Sequence, residues 1–86
     1  MNYLEKTKES YNSYYKQYKA AWCKKSGLPM YTKNDWGKIE KDELYSVTRA
    51  MRAKVEIDKT AVCAWYRMPN GYIPLFKRKE QQNVQQ

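Results

Sequence analysis

Asn70-Gly71 stands between two runs of strand-forming residues, and no other short stretch of the chain limits the fold as strongly. Upstream lies "TAVCAWYR" and downstream "YIPLFKR", both rich in β-branched and aromatic side chains. An Asn-Gly pair suits a type I′ turn, which needs positive φ at both central residues. The stretch therefore predicts a β-hairpin. With Asn70 and Gly71 as the whole loop, Trp65 pairs with Phe76 and Tyr66 with Leu75. Pro74 lacks a donor, so its strand is expected at an edge or bent. One face of the hairpin packs on helices from upstream.

Those helices are read from spacing. Residues 2–25 predict one long amphipathic helix, opened by Asn2 and Glu5 in the form of a capping box. Leu4, Tyr11, Tyr14, Tyr15, Tyr18 and Trp22 fall on one arc of it. That arc is the expected core face, with Tyr3 and Tyr14 at its margin as exceptions. Gly27, Leu28 and Pro29 form the stop signal. A second helical segment is expected from Asn34 to Val55, with Thr32 and Asp35 marking its start. Trp36, Ile39, Leu44, Val47, Met51 and Val55 share its apolar arc. Gly37 and "EKDE" are weak points, so the segment is either one helix or a short helix followed by a main one near 42–55. Residues 1–78 are expected to form a single compact α+β domain, and 79–86 a disordered polar tail.

Residues 46–67, "SVTRAMRAKVEIDKTAVCAWYR", partly resemble the DNA-binding helix-turn-helix of Cro-type phage repressors. Met51, Val55, Ile57, Val62 and Trp65 sit where that motif keeps apolar residues. The resemblance implies that Asp58 caps a recognition helix and that Lys59, Thr60 and Ala64 face the major groove. Arg52 stands where the motif's two helices touch and a small residue belongs. Glu56 stands at the turn position that glycine normally fills. The hairpin is therefore the reading taken, and an all-α helix-turn-helix is the alternative.

The core must be built from unusual material. Leu, Ile, Val and Phe together number twelve, against nine Tyr, three Trp and four Met. Each aromatic ring buries roughly 150–250 Å², so a few rings replace many aliphatics. A buried Tyr also needs a partner for its hydroxyl, which directs some Tyr to the surface or to an interface, including one with a second copy in a homodimer.

Function is read from charge. Seventeen Lys and Arg face nine Asp and Glu, a net charge of +8. Such an excess fits a polyanionic partner, above all nucleic acid, DNA or RNA, or else an acidic protein surface. Lys38, Lys41, Tyr45, Arg49 and Arg52 fall within roughly 80° of one another on a continuous helix. Arg67, Lys77, Arg78 and Lys79 add cations at the hairpin. These nine are the candidate contacts to phosphate. An ordinary solvated helix face would look similar. The alternative function is a protein-binding inhibitor or adaptor, of the kind a phage or other mobile element encodes, because Tyr, Trp, Met and Arg are enriched at interfaces.

Catalysis is not expected. Histidine is missing, the carboxylates lie in charged stretches, and no glycine-rich phosphate loop is present. Cys23 and Cys63 are too few for a zinc site and are expected reduced, as small apolar fillers. No metal, cofactor or membrane span is expected, and no signal peptide is visible. The chain is expected to be cytoplasmic.

Overall fold

The computed structural model describes residues 4–79. Ten short elements follow one another: β1 (Tyr11–Asn12), β2 (Gln17–Tyr18), α1 (Ala20–Lys25), β3 (Met30–Tyr31), a 3-10 turn (Lys33–Asp35), α2 (Trp36–Lys41), β4 (Leu44–Tyr45), α3 (Val47–Ala53), β5 (Ala64–Met68) and β6 (Gly71–Lys77). They make an α+β domain with a six-stranded mixed sheet and three short helices.

Strand β6 organises the sheet. β5 pairs antiparallel along one edge of it, and β3 pairs parallel on the outer side of β5. The other edge of β6 is shared. β2 pairs there near its start, Tyr18 opposite Tyr72, and β4 near its end, with Tyr45 opposite Phe76 and Leu44 opposite Lys77. Pro74 falls between these two pairings, where its missing N–H costs no ladder bond on that edge. β1 closes the order β1-β2-β6-β5-β3.

The core lies on both faces of the sheet. Neighbouring residues of a strand point to opposite sides. Trp65 accordingly joins Tyr18, Trp22 and Cys23, while Ala64 joins Ile39, Leu44 and Leu75. α1 supplies one cluster and α2 the other. Trp65 is wholly buried, and its indole N–H donates to the Ser26 hydroxyl at 2.9 Å. The Tyr18 hydroxyl donates to the Leu4 carbonyl at 2.7 Å. These buried aromatics thus meet the requirement that interior donors be paired. No helix among the described residues is long and apolar enough to cross a membrane.

Several sequence expectations are corrected. The long N-terminal helix is absent: residues 11–18 form an antiparallel hairpin, and of the described residues up to Lys25 only Ala20–Lys25 is helical. A spacing of seven explains the misreading. Tyr11 and Tyr18 lie on one arc of a helix, and they are also the cross-strand pair of a hairpin with a four-residue loop. "SYNSYY" consists of weak helix formers, and Tyr pairs well in strands. The Asn2 cap lies outside the described residues.

The second segment is also broken. Thr32 and Asp35 do form a capping box, but α2 ends at Lys41, Glu43 takes φ +54, and β4 intervenes before α3. Ser46 caps α3 by accepting from the Arg49 N–H at 3.2 Å, and Lys54 ends it at φ +56. The helix-turn-helix alternative fails, because residues 64–68 are a strand and Lys59 and Thr60 lie in a turn.

The predicted hairpin register is wrong as well. Met68 pairs with Gly71, so Pro69 and Asn70 are the loop, and Trp65 sits opposite Pro74. Asn70 is not among the residues with positive φ, which excludes a type I′ turn. Pro at the first central position and Gly at the last position are the residues a type I turn favours. Gly71 is required for a different reason. At φ +155, a Cβ on it would lie 2.6 Å from the Tyr18 carbonyl oxygen. Of the tail predicted for 79–86, only Lys79 is described, its N–H donating to the Glu56 carbonyl at 2.9 Å.

Candidate nucleic-acid interface

Segment 36–52 reads as a helix face in the sequence and folds as three elements. Trp36 opens α2, Tyr45 lies in β4, and Arg49 lies in α3. The Arg49 guanidinium is 4.8 Å from the ring centre of Trp36 and 4.8 Å from that of Tyr45. Its Nη1 donates to the Leu44 carbonyl at 2.9 Å, and its Nη2 is 3.7 Å from Glu40 Oε2. Trp36 in turn meets Tyr66 of β5 edge-on, with ring centres 5.8 Å apart. A continuous ladder, Tyr45–Arg49–Trp36–Tyr66, therefore fastens α3 to β4, α2 and the sheet. The guanidinium lies over both rings while its separate N–H groups reach Leu44 and Glu40, a combination that a single ammonium point charge does not reproduce. Arg49 is half-buried in this role, unlike Arg52 one turn on, which is exposed.

The nine predicted residues do not share one helix face: Lys38 and Lys41 lie on α2, Tyr45 on β4, Arg49 and Arg52 on α3, Arg67 on β5, and Lys77 to Lys79 at the end of β6 and just beyond. Lys38 and Lys41 are exposed on α2. Lys77 faces Leu44 across the β4–β6 pair, Arg78 bridges to Ile57, and Lys79 follows. With Tyr45 opposite Phe76, the end of β6 and the segment carrying Tyr45 are direct neighbours. Arg67 lies at the other end, opposite Tyr72. About 17 Å of strand separates Tyr72, opposite Arg67, from Lys77, while the ladder through Arg49 and Trp36 ends on Tyr66, next to Arg67 in β5.

Arg67 has surroundings of its own. A shallow groove of about 530 Å³ is lined by Thr32, Lys33, Asn34, Tyr66, Arg67, Met68 and Pro69. It holds two cations and no carboxylate. Asp35, adjacent in sequence, accepts from the Thr32 N–H at 2.9 Å and from its hydroxyl at 3.3 Å. Sequence reasoning missed Lys33 and Tyr66 as members of this groove, and Trp36 as the ring that joins Tyr66 to Arg49. Strand alternation carried the signal for Tyr66, since a fully buried Trp65 turns its neighbour to the opposite face.

Three titratable groups elsewhere are shifted from their ordinary values. Burial pushes the Cys23 thiol up to about 12, which keeps it protonated and unreactive at neutral pH. Burial also raises the Tyr18 phenol. Asp58 is held below the usual carboxylate range by hydrogen bonds from the Thr60 hydroxyl and N–H, in an exposed turn. Among the described residues, no group of three or more His, Cys, Asp and Glu is placed to hold a metal ion. Comparison of the chain with protein-family models, with curated proteins and with solved structures finds no match.

Proposed function

We propose that this chain is a small, basic, non-enzymatic module that binds nucleic acid mainly through phosphate contacts. The observation that carries the reading is how few of the exposed cations are ion-paired, Lys79 being a partial exception because it acts on the nearby Asp58 carboxylate. Among the described residues the one ion pair is Arg49 with Glu40, while Lys38, Lys41, Arg52, Arg67, Lys77, Arg78 and Lys79 are all exposed. Cations left in water beside a net charge of +8 form an electrostatic footprint for a polyanion. Arg49 and Tyr45 hold the platform together, and the exposed cations around them make the contacts.

The test is fluorescence anisotropy of labelled duplex DNA, single-stranded DNA and RNA across a salt series. Binding should weaken steeply with salt, with a log–log slope of roughly −0.9 per phosphate contacted on duplex DNA. Charge reversal at Lys38 and Arg52 should weaken binding and flatten that slope. Absence of binding at low salt refutes the proposal.

A second reading, a protein-binding inhibitor or adaptor, is favoured by one feature. Met51 is 73 % exposed beside a groove of about 270 Å³ whose lining includes Val47, Ala50, Val55 and Ile57. Capture of a protein partner that survives moderate salt, without nucleic-acid binding, supports this reading over the first.

A further inference from the structure

The hairpin of residues 11–18 has a tip that the phosphate-contact reading does not use. Asn12 pairs with Gln17, so Ser13, Tyr14, Tyr15 and Lys16 form the loop. The loop is pinned. Asn12 Oδ1 accepts from the N–H groups of Tyr14 and Tyr15, at 3.0 and 3.2 Å, and Lys16 closes the turn at φ +56. Tyr14 is 83 % exposed and Tyr15 46 %. Their rings meet edge to face at 4.8 Å and 89°, so each fixes the other while an open ring face remains in water.

Beside the tip is a shallow cleft of about 240 Å³, lined by Lys6, Thr7, Lys8, Tyr11 and Ser13. Lys6 Nζ lies 5.0 Å from the centre of the Tyr11 ring. The lining carries two ammonium groups, with hydroxyls from Thr7 and Ser13 beside them. Glu5 and Glu9, the acidic residues of this stretch, are not part of it. The Thr7 hydroxyl donates to Ser10 Oγ, which itself donates to the Glu5 carbonyl, so the Ser13 hydroxyl is the one that can serve a ligand. A small cationic cleft with that hydroxyl suits a phosphate group. An exposed aromatic face one loop away suits a nucleobase.

We infer that the β1–β2 hairpin is a second nucleic-acid contact, in which Tyr14 and Tyr15 stack on unpaired bases while Lys6 and Lys8 hold the adjoining phosphate, so that the ligand is single-stranded. Bases within a duplex have both faces covered by their neighbours, and only unpaired bases offer a face to a protein ring. Positive charge around the rings selects a polyanion over an apolar protein surface. The inference rests on the proposed nucleic-acid function and names its substrate class.

The experiment compares the full chain with Tyr14→Ala/Tyr15→Ala and with Lys6→Gln/Lys8→Gln. The probes are a short labelled oligothymidine and a labelled duplex, each titrated at several salt concentrations. Thermal unfolding of each variant checks that the exposed changes leave the fold intact. The tyrosine variant should lose at least about fivefold in affinity for oligothymidine, with the salt slope unchanged and duplex binding unaffected. The lysine variant should flatten the oligothymidine slope by about 0.7 for each phosphate it no longer neutralises. Undiminished oligothymidine binding by the tyrosine variant overturns the inference and leaves the nucleic-acid reading standing. An equal loss on duplex overturns the single-strand assignment. Failure of the parent chain to bind either probe removes both. If sedimentation shows the tyrosine variant monomeric where the parent chain is dimeric, the tip is a self-association surface and the inference fails.

Discussion

Replacing Ser26 by alanine isolates one hydroxyl on which the aromatic core depends. Ser26 Oγ accepts from the Trp65 indole N–H at 2.9 Å and from the Leu28 N–H at 3.2 Å, and it donates to the Cys23 carbonyl at 2.6 Å. Trp65 is wholly buried, so its indole donor has no route to water once the hydroxyl is gone. A buried donor left unpaired costs about 1–3 kcal/mol. The Cys23 carbonyl keeps the Ser26 N–H at 3.1 Å, and the Leu28 N–H, in a half-exposed turn, regains water in part. The loss should therefore be about 2 kcal/mol, nearly all of it from Trp65. At roughly 4–8 °C per kcal/mol for a domain of this size, Tm should fall by about 8–16 °C. Urea unfolding followed by far-ultraviolet circular dichroism measures it, with Ser26→Thr as the control that keeps an oxygen in place. A loss under about 0.5 kcal/mol, or an equal loss in Ser26→Thr, refutes the hydroxyl's assigned role.

Three further outcomes are expected. Gly71→Ala should destabilise by about 1–3 kcal/mol in a denaturant titration, because a Cβ there meets the Tyr18 carbonyl oxygen at 2.6 Å and φ is +155; unchanged stability would show that the β2–β6 approach is not tight. Arg49→Lys should cost about 1 kcal/mol of stability, since a single ammonium cannot hold both ring contacts, the Leu44 bond and the Glu40 pair together, whereas Arg52→Lys should cost nothing measurable; equal behaviour of the two variants contradicts the ladder. Stability should fall as pH rises above about 9 toward 12, since the Cys23 thiol ionises in the unfolded chain before it does in the folded one. The native-state stabilisation is complete below the unfolded value and is lost through the folded one. Cys23→Ala should therefore show a shallower alkaline decline, and an identical decline would rule Cys23 out as its source.

What could be read from the sequence followed from the range of the cause. Thr32 with Asp35 and the exit after Lys25 through Gly27 are local, and the chain obeys them. The exposure of Tyr14 and Tyr15 follows from the hairpin loop they occupy, which the helical arc did not foresee. The long helices were not excluded locally, because a spacing of seven serves a helix and a four-residue hairpin alike, and the decision fell to β6. Only in the folded chain does β6 offer an edge on which Tyr18 and Tyr45 can pair. The register error at 69–71 has the same origin. Asn-Gly favours its own turn, but Gly71 is placed where the Tyr18 backbone comes close, and the Asn70 N–H donates to Gln17 Oε1 at 3.1 Å. The candidate cations were identifiable by type. Their distribution over α2, β4, α3, β5 and β6 was not, since it depends on strand pairing.

That dependence separates the two ways in which a substitution weakens binding. Every proposed contact on the sheet and its helices sits on a short element that β6 or its neighbours hold in place, so a core defect reaches the interface through the folded fraction alone. Total stability for 86 residues is roughly 4–13 kcal/mol. A loss of about 2 kcal/mol then leaves at least roughly nine-tenths of the chain folded at 25 °C. Apparent affinity scales with that fraction, so Ser26→Ala or Gly71→Ala should bind within about twofold of the parent at 25 °C and fail only near their lowered Tm. Removing Lys38 or Arg52 should instead weaken binding at every temperature and leave Tm in place. A core variant that loses affinity while still folded would mean that the interface is tuned by the core rather than merely carried by it.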